Sequence, residues 1–227
     1  MKLQVMDLGL NPYRETWDFQ KELHRRRVRG EIPDTLILVE HPHVYTFGKN
    51  AEESNLIATP TFLQNRGVEV VKVDRGGDIT YHGPGQIVGY PIFNLKDHNM
   101  GVKKYVENIE QAMIDTCTHF GIKSRRLEGL TGVWVGTNKI AAIGIRVSRW
   151  STYHGFALNV ETDLLLYSGI IPCGILDKGV CRMMDLNPDA SVENVKQVII
   201  DKFQKIFGFD KVIEDNPQRC EGDREKF

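Results

Sequence analysis

The sequence has little of what would announce a metal site, a disulfide framework, a nucleotide loop or a membrane segment. Its four cysteines, Cys117, Cys173, Cys181 and Cys220, form no C-x-x-C pair and no His/Cys cluster with zinc spacing. That leaves a metal or disulfide scaffold without support and points to free thiols in a reducing compartment. The apolar runs are short: Leu36-Ile37-Leu38-Val39 stops at Glu40, far from the roughly 20 residues a membrane span requires. The N-terminal stretch is broken by Gln4 and Asp7 and has no signal-peptide h-region. A cytoplasmic location, with no membrane partner, is the expectation. A formal net charge of −1 gives no general attraction for nucleic acid, so any electrostatic partner site is a local patch. Neither G-x-x-x-x-G-K-[ST] nor G-x-G-x-x-G occurs.

What is present is an ordinary globular composition, 41% apolar and 26% charged over 227 residues. One domain spanning 1–227 is expected, with a core over about 1–210 and a charged, proline-bearing tail over 215–227 that frays. Asn11-Pro12 reads as an N-cap followed by a first-turn proline, opening a helix of about four turns with Trp17 and Leu23 inward. Its end, His24-Arg25-Arg26-Arg27-Val28-Arg29, reads as solvated, with an acidic partner as the sharper alternative. Strands are expected at 35–39 and 68–73. Apolar residues at helical spacing from Val102 to Phe120, and again from Val192 to Ile206 after Ser191, mark two amphipathic helices. Between them Val133-Trp134-Val135, 139–145 and 156–160 suggest a hairpin or meander. The fold class is α/β (α+β): a two-layer arrangement of a mixed or antiparallel sheet with helices.

Four features could carry chemistry. The segment 75–86 packs four glycines and a proline between two β-rich runs, and includes Arg75 and His82. It fits either a glycine-rich hairpin or a backbone cradle for an anion or a thioester carbonyl. Cys173, between Pro172 and Gly174, lies in a shaped loop where a thiol can meet substrate, although a cysteine is more often buried structure. Cys117 falls on the apolar face of the mid-chain helix and reads as core. Lys139 begins an apolar strand and His154 precedes another; a solvent-reaching lysine and a satisfied histidine are the ordinary readings.

Taken together, Glu40-His41-Pro42-His43 through Gly48, Arg75 through Gln86, 132–144, His154 through Val160 and Ile171-Pro172-Cys173-Gly174 resemble the lipoyl(octanoyl) transferase family, also called lipoate-protein ligase B. The segments occur in family order across about residues 1–210. The resemblance implies the catalytic-domain fold of biotin and lipoate protein ligases. It also implies transfer of octanoyl from octanoyl-acyl carrier protein, through a cysteine thioester, to the lysine of lipoyl domains. Cys173 would be the nucleophile and Lys139 the residue that lowers its pKa. Arg75, Gly76, Gly77, Asp78, Ile79, Thr80, Tyr81 and His82, then Ala142, Ile143 and Gly144, then Gly155, Phe156 and Ala157 would contact the acyl substrate, with His154 in support. No metal and no ATP are implied, the acyl donor being carried on the phosphopantetheine of acyl carrier protein. Acceptors would be lipoyl-domain proteins such as 2-oxoacid dehydrogenase E2 subunits and the glycine cleavage H protein.

Chemistry supports that assignment. A thiol of ordinary pKa is only a few per cent thiolate at neutral pH, and a neighbouring ammonium raises that fraction. A thioester is already activated, so ping-pong transfer needs no nucleotide. An ATP-dependent ligase on the same fold, or a carrier-binding module without activity, are the alternatives.

Overall fold

A computed structural model of the chain describes residues 1–171 and 178–215. Its frame is a nine-stranded mixed sheet. Seven of its strands are β1 (Lys2–Leu10), β2 (Asp34–Glu40), β6 (Gln86–Ile92), β7 (Arg125–Leu127), β8 (Leu130–Val135), β9 (Asn138–Ser148) and β10 (Ser151–Asn159); β11 (Gly179–Val180) and β12 (Lys211–Asp215) complete it. The order is β12-β1-β2-β6-β10-β9-β8-β7, with β11 added beside β9. β1 runs parallel to both β12 and β2, whereas β2, β6, β10, β9 and β8 pair antiparallel in succession. The meander expected at 133–160 is therefore present. A second sheet, β4-β3-β5, joins β3 (Val44–Phe47), β4 (Glu69–Lys72) and β5 (Ile79–His82), with the short helix α2 (Pro60–Arg66) between β3 and β4.

Strand alternation decides which face each residue covers. Leu36, Leu38, Ile87, Phe156 and Leu158 point to one side, where they meet Tyr105, Ile109, Met113 and Cys117 of α3 (Val102–His119) and Val195, Ile199 and Phe203 of α4 (Val192–Phe207). Both helices run where the helical spacing predicts. Ser191 caps α4 through its side chain, and Gly208 ends it in the left-handed region at φ 70°. Cys117 is fully buried, and burial pushes its thiol up to about 11. Ile37, Val39, Val88, Tyr90 and Ala157 point to the other side, under Leu23 of α1 (Tyr13–Val28).

Several expectations are corrected. Asn11 does not cap α1: Pro12 occupies the N-cap without a side-chain bond, and the Asn11 amide is spent on the Glu40 carbonyl. The chain begins and ends its described part in strands, not helices, because β1 and β12 pair with each other at the sheet edge. The Arg-rich end of α1 is not wholly solvated. Arg27 is buried and donates to Asp34 at 2.7 Å and to Asp97, while His24 meets the Ser148 carbonyl at 3.1 Å. His154 does not precede its strand but lies inside β10, with φ 56°. Among the described residues, no helix is long and apolar enough to cross a membrane.

Candidate functional site

β5 belongs to the small sheet and β6 to the large one, yet only residues 83–85 separate them. The glycine-rich segment therefore crosses from one sheet to the other, and a cavity of about 360 Å³ opens beneath it. That volume lies in the range of small-molecule sites. The floor is the α1-side face of β9 and β10, where Ala142, Gly144, Gly155 and Ala157 leave room above the sheet. Close packing enforces two of these small residues. A Cβ on Gly155 would stand 2.1 Å from the Gly89 carbonyl oxygen, and one on Gly144 would stand 2.8 Å from that of Gly76.

The cavity brings together most of the residues singled out from sequence. Arg75, Gly77, Asp78, Ile79, Thr80 and His82 line it from above. Ala142, Ile143, Gly144, Gly155, Phe156 and Ala157 line it from the sheet, and Lys139 and His154 also border it. Gly76 and Tyr81 do not. The Gly76 amide is tied to the Ile145 carbonyl at 2.9 Å, pinning the loop to β9. Tyr81 is fully buried in the small-sheet core, its ring against Tyr167 and its hydroxyl 2.8 Å from His43. Cys173 falls in 172–177, outside the described residues. Residues before and after that segment line the cavity. Ile171 donates to Asn55 at 2.8 Å, Tyr167 lines the cavity, and beyond the segment Lys178, Gly179 and Val180 line it too. β11 pairs with Asn138 and Lys139, so the returning chain runs beside the lysine.

Lys139 places its ammonium 4.7 Å from the centre of the Trp134 ring, a cation–π contact that orients a long side chain at the cavity wall. At the opposite wall the polar groups are wired one to the next. Arg75 donates to the Thr46 carbonyl at 2.7 Å and to its hydroxyl at 2.9 Å. Thr46 in turn faces His82 Nε2 at 3.4 Å, and His82 Nδ1 donates to Gln86 Oε1 at 2.8 Å. The Gln86 amide reaches Asn159 at 2.9 Å and Tyr167 at 3.1 Å. Asn159 donates to the Cys181 carbonyl, which ties this wall to the chain beside Lys139. Burial holds His82 well below the ordinary histidine pKa, helped by His41 and Arg75, so it is a neutral ring. His41, bonded to the Asn11 carbonyl and to Tyr90, is held by burial at about 4.

Asp74 anchors the start of the loop, accepting from His154 Nε2 at 2.9 Å and from the Tyr153 hydroxyl. Burial raises its pKa, but these two bonds outweigh that and hold the carboxyl well below the usual range. Tyr13, Tyr90, Trp134, Lys178, Asp74, Gln86, Asn159 and Tyr167 were not among the residues expected from sequence. Two left a readable signal: Gln86 and Asn159 are polar residues set against apolar strand runs, a placement that in a folded core demands partners. Tyr13 and Asp74 left none, since their partners are distant in sequence.

A profile described as lipoyl protein ligase A/B catalytic domain matches residues 12–204. An octanoyltransferase from Alkaliphilus metalliredigens is 46% identical over 212 residues, which cover 92% of this chain and 97% of that protein. Among solved structures, a bi-partite lipoate protein ligase from Thermoplasma acidophilum aligns with a TM-score of 0.76 at 17% identity, over 95% of this chain and 87% of the other. A biotin protein ligase from Aquifex aeolicus aligns with a TM-score of 0.54 at 10% identity, over 92% and 71%. At such identities the two ligases define the fold alone, and it is the one the resemblance implies.

Proposed function

The chain belongs to the lipoyl protein ligase A/B catalytic-domain family, and from that membership we propose how its cavity performs octanoyl transfer. The chain is an acyltransferase: it moves an octanoyl group onto lipoyl domains. The observation that carries this reading is its 46% identity to an octanoyltransferase across nearly the whole of both chains. The donor is octanoyl-acyl carrier protein and the acceptors are the lysines of lipoyl-domain proteins, E2 subunits and H protein among them. The chain works as one catalytic domain in the cytoplasm.

In the first half-reaction the Cys173 thiolate attacks the carrier thioester, an enzyme thioester forms and the carrier thiol leaves. Lys139 favours the thiolate by its charge and returns a proton to the departing sulfur. In the second, the acceptor lysine amine attacks the enzyme thioester, Lys139 or a water removes its proton, and the C–S bond breaks to release the amide and the Cys173 thiolate. Two features of the molecule support this. Lys139 borders a cavity whose floor is cleared by small residues, and Tyr167 before 172–177 and Lys178, Gly179 and Val180 after it line the same cavity. Octanoyl lies over Ala142, Gly144, Gly155 and Ala157, where each buried methylene contributes about 0.8 kcal/mol. No nucleotide enters, because a thioester already exceeds the amide product in free energy.

The test is transfer from purified octanoyl-acyl carrier protein to a purified lipoyl domain with ATP absent. Octanoylation of the acceptor lysine is expected at a rate unchanged by ATP. Acylation that starts only when free octanoate and ATP are supplied would replace this reading with that of a ligase.

A further inference from the structure

Lys139 reaches the cavity through an irregularity of β9. Side chains on a strand alternate between its faces, and Ala142 and Gly144 face the cavity. Strict alternation would put Ile140 there as well and turn Lys139 into the core beside Ala141. The pairing with β8 breaks that pattern: Val133 stands opposite Ala141 but Trp134 opposite Lys139, so Ile140 is an extra residue, a β-bulge. Ile140 and Ala141 are both fully buried in the core under α3 and α4, and Lys139 emerges on the cavity side with Trp134. At the same point β9 parts from β10, whose register ends at Leu158 with Ala141, and takes β11 as its neighbour.

The lysine stem then crosses Gly132 of β8. A Cβ on Gly132 would lie 3.4 Å from Lys139 Cε, 3.6 Å from its Cδ and 2.8 Å from the Ala141 carbonyl oxygen. Gly132 also has φ 129°, a backbone conformation that residues with a side chain rarely adopt. Its amide is placed as unusually as its dihedral. The register of β8 with β9 reaches only Val133, and the Gly132 N–H donates instead to Glu110 Oε1 at 2.9 Å. Glu110 is a buried residue of α3 whose other oxygen accepts from Arg126 Nε of β7 at 2.8 Å. It does not line the cavity, and the acyl-transfer chemistry gives it no part.

We propose that Glu110 is a positioning residue for Lys139. By accepting the Gly132 N–H it holds β8 in the conformation that leaves the lysine stem its path, and so keeps the ammonium over the Trp134 ring at the cavity wall. Without that acceptor the buried N–H turns toward another partner, Gly132 leaves φ 129°, and the stem loses its path. The consequence for catalysis rests on the reading that Lys139 favours the Cys173 thiolate.

The test separates the Gly132 bond from the ion pair. In the full-length protein, Glu110→Gln/Arg126→Met removes both charges and keeps an amide oxygen for Gly132. Glu110→Met/Arg126→Met removes both charges and the acceptor. Each is measured below its Tm. In protein isotope-labelled at lysine Cε, the Lys139 resonance, assigned by its loss in Lys139→Arg, carries a ring-current shift from Trp134. That shift is expected to persist in the first double variant and to collapse in the second. Alkylation of Cys173 by iodoacetamide, followed on its peptide by mass spectrometry, is expected at pH 7 within about twofold of wild type in the first. In the second it falls about fivefold or more, and the midpoint of its pH profile moves up toward that of Lys139→Ala. For octanoyl transfer, kcat falls in the second variant while the carrier KM stays, because Glu110 does not touch the cavity. A ring-current shift that responds alike in the two double variants would overturn the proposal. So would one alkylation profile shared by both when Lys139→Ala does shift it, the result expected of a purely structural Glu110. An alkylation profile unmoved by Lys139→Ala would count instead against the thiolate reading, with the lysine resonance still deciding what Glu110 positions.

Discussion

Asp74 and His154 are joined by a 2.9 Å hydrogen bond that ties the first residue before the glycine-rich loop to the middle of β10. The next residue, Arg75, is bound to Thr46 of β3. Two consecutive side chains thus hold the loop to the large sheet on one side and to the small sheet on the other. Asp74→Asn replaces an acceptor of two bonds with a group that must turn a donor toward one of its partners. Octanoyl-carrier KM is expected to rise several-fold. The acid limb of stability should change as well. The folded pKa of Asp74 lies below its unfolded value, so its contribution is present above about pH 4 and is lost as pH falls below that. Urea midpoints measured from pH 5 down to pH 2.5 should fall less steeply in the variant.

The buried histidines act in a higher pH window. His41 is held at about 4 by burial, so between its unfolded pKa near 6.5 and 4 the unfolded chain binds more protons than the folded one. Stability is therefore expected to decline as pH falls through that window, His41 alone contributing about 3 kcal/mol. His41→Gln should flatten the slope. A wild-type urea midpoint constant from pH 7 to 4.5 would contradict this.

Gly155 is set by backbone contact, not by substrate. Gly155→Ala places a methyl carbon against the Gly89 carbonyl, and β10 cannot retreat without breaking its pairing with β6 or β9. A loss of about 2 kcal/mol or more is expected, seen as a lower Tm by calorimetry. Gly144→Ala places its methyl carbon 2.8 Å from the Gly76 carbonyl oxygen and 3.2 Å from Cδ of Arg75, a side chain held by Thr46. It is expected to fold, with acceptance shifted toward chains shorter than octanoyl in a competition among carrier-bound acyl groups.

Gln86 is fully buried, and its amide joins His82, Asn159 and Tyr167. Gln86→Leu leaves His82 Nδ1 without its acceptor and takes a donor from Asn159 and Tyr167, which keep each other at 3.2 Å. A cost of about 2–4 kcal/mol is expected from urea unfolding, together with slower transfer, because the wall beside Lys139 loses its tie through Asn159.

The parts of this molecule that follow from local chemistry were readable in the sequence. Helices α3 and α4 declare themselves by apolar spacing and by the Ser191 and Gly208 signals, and the β8–β10 meander by β-rich runs around a Gly136-Thr137 turn. The missed elements owe their existence to distant partners. β1 forms because β12 and β2 flank it, and the short β3 and β5 form because they pair with each other. Arg27 looked solvated within a basic run because its partners, Asp34 and Asp97, lie in other segments. The same holds at the site. Small residues at 142–144 and 155–157 were visible as a pattern, whereas the polarity of the slot's inner end depends on Tyr13, Asp74 and Tyr90, each supplied from elsewhere in the chain.

The central claim, that acyl transfer passes through a thioester on Cys173 favoured by Lys139, is tested most directly by intact mass. The full-length protein is mixed with octanoyl-acyl carrier protein, without acceptor, beside its Cys173→Ser and Lys139→Ala variants. One octanoyl adduct, removed by hydroxylamine, is predicted on the wild type, none that hydroxylamine removes on Cys173→Ser, and a much slower appearance on Lys139→Ala. An adduct that persists in Cys173→Ser with unchanged hydroxylamine lability, or no adduct on a wild type that still octanoylates the acceptor, would contradict it.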